Sequence, residues 1–383
     1  MMNRHFKILT VIIILLSLII IFTFSFATNL QETNRIENIS NFNKYFFPLN
    51  SFSELYYLSR SIQFLPIKQF INLYNYSIEE VHYSKNIFLN NEKITANLSL
   101  SNRTSESKKL WVGYTLKNPV GEFLNFPGQE VLLDAKDRTF IDMTINRNAF
   151  SNNSFISGDY DIIFALWDRN PALEGAQRIN YYKKEKIIKI YSTIETFTSL
   201  DPNNWFSREG ILGRSLLTPE NVFIKDHLLM IRLINNSYSG GEIRSLEKVH
   251  YGSYEISMLL PDAPTSITGF FLYKAPDYYH EIDIEIFNKK NTDILFTTYA
   301  DGDVRNNTNF PIGFDPTSTF NTYRIDYYPH EVSFYINDQL IEKFTDGFSK
   351  ESMYLMVNTW YPNWLDGIQQ KNDQYLKIQW IRY

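Results

Sequence analysis

The segment Glu281-Ile282-Asp283-Ile284-Glu285 alternates carboxylic acids with isoleucines over five consecutive positions. A period of two is typical of a β-strand, because successive side chains of a strand point to opposite faces of its sheet. We therefore expect the three acids to share one face and both isoleucines to pack into a core on the other. The segment predicts a strand of an all-β domain, with one acidic face and one buried face.

Short apolar segments of the same kind recur through the last 190 residues, and no long segment with a period of 3.6 separates them. They are residues 222–224, 228–233, 253–258, 270–273, 323–328, 332–336 and 354–358. Asn337-Asp338 lies between two of the predicted strands and is typical of a hairpin tip. We predict that residues 193–383 form a sandwich of many antiparallel strands.

A second set of alternating segments precedes this domain, at residues 94–100, 110–116 and 160–167. Turn signals such as Asn118-Pro119-Val120-Gly121 separate them. About 100 residues with this spacing predict a smaller immunoglobulin-like β-sandwich over residues 92–192. Its role is open between a carbohydrate-binding module and a domain that packs on its neighbour. We favour the second, because fold alone does not fix function.

The amino terminus has the pattern of an export signal. Arg4 and Lys7 precede an apolar run over residues 8–26, and Ser25-Phe26-Ala27 offers small residues for cleavage. The run is also long enough to span a bilayer. Residues 1–27 are therefore predicted to be a signal peptide or a membrane anchor, and 28–91, which are polar and rich in Asn, a spacer. Either reading places the remainder outside the cell or on its surface.

Composition excludes several classes of function. The net charge is −5 and no basic block occurs, which argues against nucleic acid as a partner. The absence of cysteine excludes disulfides and thiolate metal sites. The six histidines are scattered without the spacing of metal ligands, so no metal site is predicted.

The acid triplet is the strongest candidate for chemistry. Carboxylates crowded on one face push their pKa values apart, so that one stays ionised while another holds a proton. Glycoside hydrolysis uses two carboxyl groups in those two roles. Glu281 and Glu285 are about 13 Å apart between Cα atoms of an extended strand, which does not decide between retaining and inverting mechanisms. An acidic surface or a calcium site remains an alternative on the residue pattern alone.

A resemblance to a known family narrows these alternatives. His280-Glu281-Ile282-Asp283-Ile284-Glu285 resembles the signature of glycoside hydrolase family 16, in the form typical of bacterial 1,3-1,4-β-glucanases (licheninases) and plant xyloglucan transferases. Further segments resemble the family in the same order along the chain: 251–258, 270–273, 320–327 and 376–383.

The resemblance implies a concanavalin-like β-jelly roll that cleaves β-1,3-1,4- or β-1,3-linked glucan with retention of configuration. Glu281 would be the nucleophile and Glu285 the general acid/base, with Asp283 assisting. By resemblance to licheninases, or by position beside the cleft, the substrate-binding residues would be Glu242, Arg244, Phe271, Tyr273, His280, Tyr299, Asn358, Trp360 and Trp364. A polysaccharide would be the partner of a chain expected to be monomeric.

The sequence also departs from the family pattern. Tyr278-Tyr279-His280 stands where a Trp is common, Thr297 stands where licheninases have Asn, and an Asn- and Gly-rich loop is shortened to 210–214. Family members often carry a structural calcium, but Gln379 replaces its Asp ligand and a neutral amide is a weaker ligand. No cofactor is therefore predicted. Two rival functions remain: a transglycosylase that remodels a wall or capsule polymer, and a non-catalytic surface protein that binds carbohydrate.

Overall fold

The computed structural model of the chain describes residues 75–145 and 155–383. The predicted leader, residues 1–27, lies outside this part of the chain, as does the predicted spacer up to residue 74. Within the described ranges, no helix is long and apolar enough to cross a membrane.

The first folded region is a two-sheet sandwich that begins before residue 92. Its strands are β1 (Tyr76–Tyr83), β2 (Ile87–Leu89), β3 (Ile94–Asn102), β4 (Lys108–Lys117), β5 (Phe123–Leu133), β6 (Arg138–Ile145), β7 (Gly158–Trp167) and β8 (Arg178–Tyr191). One sheet has the order β1-β3-β6 and the other β2-β8-β7-β4-β5. The two sheets share one apolar core. The first two strands therefore belong to the sandwich, although the sequence placed them in the spacer; the immunoglobulin-like assignment stays a prediction.

The second region is a larger all-β sandwich, as predicted. Its strands are β9 (Ile194–Glu195), β10 (Trp205–Ser207), β11 (Gly210–Leu212), β12 (Ser215–Leu217), β13 (Val222–Lys225), β14 (Leu228–Leu233), β15 (Ser239–Val249), β16 (Gly252–Leu259), β17 (Ile267–Lys274), β18 (His280–Phe287), β19 (Asp293–Ala300), β20 (Asp303–Pro311), β21 (Asn321–Tyr328), β22 (Glu331–Ile336), β23 (Gln339–Phe344), β24 (Met353–Trp360) and β25 (Gln374–Arg382). A short 3-10 turn covers Pro219–Asn221.

Two sheets face each other in this region. The nine-stranded sheet follows the order β11-β12-β15-β24-β17-β18-β19-β20, with β10 paired to β15. The eight-stranded sheet follows β13-β14-β25-β16-β21-β22-β23, with β9 paired to β25. Apolar side chains from both sheets form one core. The two-sheet architecture follows from strands with one apolar face each, which must cover one another to exclude water.

The acid–isoleucine strand lies near the middle of the nine-stranded sheet as β18. Ile282, Ile284 and Ile286 are fully buried between the sheets. Glu281, Asp283 and Glu285 alternate with them and therefore point to the outer face of this sheet. This outer face is called the site face below, and the predicted split of the strand into two faces is confirmed.

The hairpin tip predicted at Asn337-Asp338 is also confirmed. These two residues join β22 to β23, and their φ angles are 49° and 63°. Positive φ at both central positions is the geometry of a type I′ turn, which matches the twist of the strands that it joins. Asn and Asp adopt this region more readily than most residues.

The first sandwich packs on the outer face of the eight-stranded sheet, opposite the site face. Arg324 of β21 is 3% exposed, and its Nη2 lies 3.2 Å from Asp159 Oδ2 at the start of β7. The Tyr191 hydroxyl at the end of β8 donates a hydrogen bond to Glu255 of β16 (2.8 Å). These contacts join the two sandwiches through polar side chains.

Candidate active site

The three acids of β18 are surrounded by defined neighbours on the site face. Strand register places Glu281 between Tyr273 of β17 and Tyr299 of β19. It places Asp283 between Phe271 and Thr297, and Glu285 between Gly269 and Leu295. The sheet thus brings the predicted catalytic acids together with three of the predicted substrate-binding aromatics. We call Glu281, Asp283 and Glu285 the acid triad.

Burial and mutual repulsion favour the protonated forms of the triad. Burial raises the pKa of Glu281 to about 8, with further contributions from the negative charges of Glu285, Asp277 and Glu242. Burial raises the pKa of Glu285 to about 7. Asp283 is the most deeply buried of the three. Burial raises its pKa well above the usual value, and the negative charges of Glu281 and Glu285 add to this effect. The three carboxyls titrate as a group, which holds protons at neutral pH.

Tyrosines border the Glu281 end of the triad. Burial raises the pKa of the Tyr299 hydroxyl, and the three acids of the triad add to the effect. The ring of Tyr278 packs at 57° to that of Tyr299, with centroids 5.5 Å apart. The Tyr273 hydroxyl donates a hydrogen bond to Asp277 (2.5 Å). Uncharged phenols next to carboxyl groups offer both stacking surface and hydrogen bonds to a ligand that carries hydroxyls.

Indole and phenyl rings border the Glu285 end. Phe287 follows Glu285 by two positions on the same face, and the exposed Trp364 packs edge-on against it, with centroids 6.0 Å apart. Trp360 lies against Gly213, where an added Cβ would stand 2.5 Å from the indole. Gly269, directly beside Glu285, has no side chain, and a Cβ there would stand 2.8 Å from Asn358 Oδ1. The missing side chain lets Asn358 approach the strand beside the acid, where its Oδ1 accepts a hydrogen bond from the Gly269 N–H (3.2 Å).

A buried glutamate lies on the same face of the sheet, on a strand separated from β18 by β24 and β17. Glu242 of β15 is 1% exposed; its Oε2 accepts a hydrogen bond from Asn358 Nδ2 (3.0 Å). Its Oε1 lies 3.3 Å from Nη1 of Arg208. Register aligns Glu242, Asn358, Gly269 and Glu285 across four strands. The row connects two predicted substrate-binding residues directly to the acid triad.

Arg244 lies between two aromatic rings next to this row. Its guanidinium carbon is 4.4 Å from the ring centroid of Tyr354 and 5.2 Å from that of Phe206. Its Nε is buried and has no hydrogen-bond partner within the described part of the chain. A buried donor without a partner costs free energy, and a hydroxyl of a bound ligand would satisfy it. Arg244 is thus packed between two rings, and its buried Nε has no partner within the described residues.

His280 differs from the other predicted site residues. Alternation along β18 turns its side chain to the face opposite the triad, and its Nδ1 is 2.8 Å from the hydroxyl of Ser349. The structure therefore does not bring His280 together with the acids on the site face. The cause is the strand period itself, which puts neighbours in sequence on opposite faces.

Sequence reasoning missed four residues of the site: Arg208, Phe206, Gly269 and Tyr354. Each of them contacts a predicted site residue through strand pairing or across a loop. Because these contacts join residues that are distant in sequence, a local sequence pattern does not predict them. Gly269 alone carried a signal, since a glycine inside a strand indicates a close approach.

The position expected to replace a calcium ligand is already engaged. Gln379 Oε1 accepts a hydrogen bond from the hydroxyl of Ser257 (2.8 Å). In the ranges 75–145 and 155–383, no group of three or more His, Asp or Glu side chains could hold a metal ion.

Comparisons with known proteins agree with the geometry of the site. Residues 214–382 match the sequence model described as "Glycosyl hydrolases family 16". The chain is 30% identical over 153 residues to a xylanase/β-glucanase of Ruminococcus flavefaciens, covering 38% of this chain and 19% of that protein. It therefore spans about a fifth of the length of that relative. A β-glucanase of Paenibacillus polymyxa is 28% identical over 185 residues, or 46% of this chain and 72% of that protein.

A solved structure is similar to half of the chain. The β-glucanase of Bacillus licheniformis covers 50% of this chain and 96% of its own, at 26% identity and a TM-score of 0.46.

Proposed function

We propose that the chain, whose residues 214–382 match the sequence model of glycoside hydrolase family 16, is a retaining endo-β-glucanase acting on β-1,3-1,4- or β-1,3-linked glucan. The observation that carries this proposal is the acid triad, a row of one buried and two half-buried carboxyls with raised pKa values on one face of β18. Buried carboxyls of this kind are unfavourable for folding alone, and glycoside hydrolysis needs a proton donor and a nucleophile side by side.

In the first step, a carboxylate oxygen of Glu281 attacks the anomeric carbon while the bond to the leaving oxygen breaks. Glu285 donates its proton to that oxygen, which leaves as a hydroxyl. In the second step, Glu285 takes a proton from water, the water oxygen attacks the same carbon, and the bond to Glu281 breaks. Two inversions give net retention of configuration.

Asp283 lies between the two glutamates, and burial raises its pKa well above the usual value. Burial, and then the negative charge of Glu285, raises the pKa of Glu281 to about 8, whereas the pKa of Glu285 is about 7. Without substrate the proton is therefore held more strongly by Glu281. The proposed roles require this proton to pass to Glu285 when substrate binds, because attack needs an ionised Glu281 and departure of the leaving group needs a protonated Glu285.

The surroundings of the triad suit an internal stretch of a polymer. Aromatic rings border it at both ends, with Tyr299 on one side and Trp364 on the other. Such rings stack on the apolar faces of sugars, while Arg244 and the Glu242–Asn358 pair offer hydrogen bonds to hydroxyls. Sugar units bound on both sides of the cleaved bond imply endo-cleavage. We place this activity outside the cell, after export by residues 1–27.

The experiment incubates the full chain with mixed-linkage β-glucan, β-1,3-glucan, cellulose and xyloglucan. Product size is read by chromatography, and the anomer formed first is read by proton NMR. We expect intermediate oligosaccharides early in the reaction, initially as β-anomers. Initial α-anomers would overturn retention, and monosaccharide as the only early product would overturn endo-cleavage.

The same samples separate the rival functions. Longer oligosaccharides that form from short ones without new reducing ends would identify a transglycosylase. Binding to a glucan without any bond cleavage, under conditions where the chain is folded, would identify a non-catalytic carbohydrate-binding protein. Either result would replace the hydrolase proposal.

A further inference from the structure

Three aromatic side chains lie together on the first sandwich, far from the acid triad. Trp111 of β4 and Trp167 of β7 are paired directly across neighbouring strands. Tyr181 of β8, 57% exposed, pairs with Ala165, two positions from Trp167. Alternation along these strands turns all three side chains away from the core, which takes Val112 and Leu166 instead. We call Trp111, Trp167 and Tyr181 the aromatic platform.

The floor of this platform is made of residues with little or no side chain. Gly113 pairs with Ala165 at the centre. A Cβ added at Gly113 would stand 3.9 Å from Trp167 Nε1, so that indole reaches over the neighbouring strand. A Cβ added at Gly128 of β5 would stand 2.3 Å from Trp111 Nε1, so the second indole also reaches over its neighbour. Both indoles therefore extend across the sheet in the same direction.

The indole N–H groups of the platform are available to a ligand. Within the described ranges, neither Trp111 nor Trp167 donates a side-chain hydrogen bond to the protein, and both side chains are part-exposed. Arg178, paired with Trp167, stacks its guanidinium carbon 5.0 Å from the ring centroid of Tyr181. The surface thus combines three ring faces with donors at their edges, the pattern that recognises sugar rings.

Charges around the platform are paired with opposite charges. Lys109 lies 2.8 Å from Glu130, and Lys183 lies 2.6 Å from Glu185. Arg169 contacts its neighbour Asp168 at 3.1 Å. These three pairs are neutral, and Arg178 adds a single cation to the platform. The surface therefore lacks the clustered positive charge that a nucleic acid or an anionic lipid surface requires.

From these observations we propose that the aromatic platform is a second binding site for a neutral β-glucan chain. The identity of the polymer rests on the proposed function, whereas the presence of a sugar-binding surface rests on the platform alone. Trp167 follows Asp159 of the interdomain contact by eight positions on β7, or roughly 27 Å of extended strand. A short oligosaccharide in the active site cannot reach the platform, but a polymer can.

The separation between the platform and the active site determines which substrates should respond to loss of the platform. A second site on the same chain raises the local concentration of a long substrate and leaves short substrates unaffected. Loss of the platform should therefore raise KM for polymer and leave kcat/KM for a short oligosaccharide unchanged.

The binding test uses the full chain carrying Glu281→Gln, so that the polymer stays intact. Affinity electrophoresis in gels with mixed-linkage β-glucan, β-1,3-glucan or dextran compares this protein with Trp111→Ala/Trp167→Ala. The matched control is Phe140→Ala, since Phe140 is 61% exposed on the other sheet of the same sandwich. We expect the double variant to bind β-glucan at least about tenfold more weakly, and the control to bind as before.

Each outcome bears on one proposal. Equal retardation of the double variant and the control overturns the platform, even if the active chain cleaves glucan. Platform-dependent retardation without any cleavage by the active chain overturns the hydrolase and leaves the platform standing. A wild-type dimer that the double variant converts to monomer in sedimentation would show that a second copy occupies the surface, and would also overturn the proposal. Circular dichroism of both variants verifies folding.

Discussion

Arg208 lies 3.3 Å from the buried carboxylate of Glu242, and this ion pair borders the site face. The pair aligns the oxygens of Glu242, since Asn358 holds the second oxygen at 3.0 Å. Arg208 is partly exposed, with 37% of its side chain accessible, while Glu242 is almost inaccessible. The arginine therefore helps to hold a buried carboxylate in place beside the site face.

Arg208→Met should weaken substrate binding more than the chemical step. Removal of the cation leaves Glu242 with one side-chain hydrogen-bond donor and an unpaired buried charge. We expect this to weaken the free energy of substrate binding by about 1–2 kcal/mol. We expect KM for β-glucan to rise roughly tenfold with kcat nearly unchanged. Steady-state kinetics measure this. Arg305→Met is the matched control, because Arg305 is 39% exposed and pairs with Asp301 away from the site.

Replacement of the two catalytic glutamates should have distinct effects. Glu281→Gln removes the nucleophile and should abolish turnover of every substrate. Glu285→Gln removes the proton donor and should lower kcat for natural glucan by about 10²–10⁴. An aryl glycoside with an acidic phenol needs no protonation, so its first step should be much less affected by Glu285→Gln.

Exposed Glu247 provides the control for these variants. Glu247→Gln lies on β15 outside the triad and should keep full activity. Full activity of Glu281→Gln, with the fold intact by circular dichroism, would contradict the assignment of the nucleophile.

The triad should also make stability depend on pH. Because the pKa of Glu281 is raised to about 8 in the fold, the folded chain holds protons that the unfolded chain releases near 4.5. The contribution of Glu281 to the free energy of unfolding is therefore greatest below about pH 4.5. It falls as the pH rises towards 8, by up to about 1.4 kcal/mol per pH unit. Glu281→Gln removes this dependence.

Urea unfolding from pH 5 to pH 8 measures the effect. The difference in unfolding free energy between Glu281→Gln and the parent should grow in favour of the variant as pH rises. A difference that stays constant over this range would mean that Glu281 titrates normally in the fold.

The contact between the two sandwiches should contribute strongly to stability. Arg324 is 3% exposed and faces Asp159 and Asp326, so Arg324→Ala leaves buried carboxylates without their cation. We expect a loss of about 3–5 kcal/mol in urea unfolding. Lys343→Ala is the control, since its pair with Glu331 is partly exposed on the same sheet. A loss below 1 kcal/mol for Arg324→Ala would contradict a role of this contact in stability.

The acid triad illustrates which structural features the local sequence pattern can predict. Alternation within Glu281–Glu285 predicted both the strand and its two faces, because side-chain direction in a strand depends only on sequence parity. The same rule turns His280 away from the acids. Its prediction as a substrate-binding residue rested on the sequence motif and did not take this alternation into account. The start of the first sandwich was missed because Tyr76–Tyr83 carries charged residues on its outer side and resembles a polar spacer.

The sequence by itself determined the all-β architecture and the acid triad, since both depend on the period of short segments. Only the tertiary structure decided which residues surround the triad. Glu242 and Arg208 are 34 positions apart, and Asn358 is 116 positions beyond Glu242, yet sheet pairing joins all three. The platform of Trp111 and Trp167 likewise exists only because β4 and β7 pair in register. Local pattern fixes the direction of a side chain, but the order and register of strands depend on packing of the whole core.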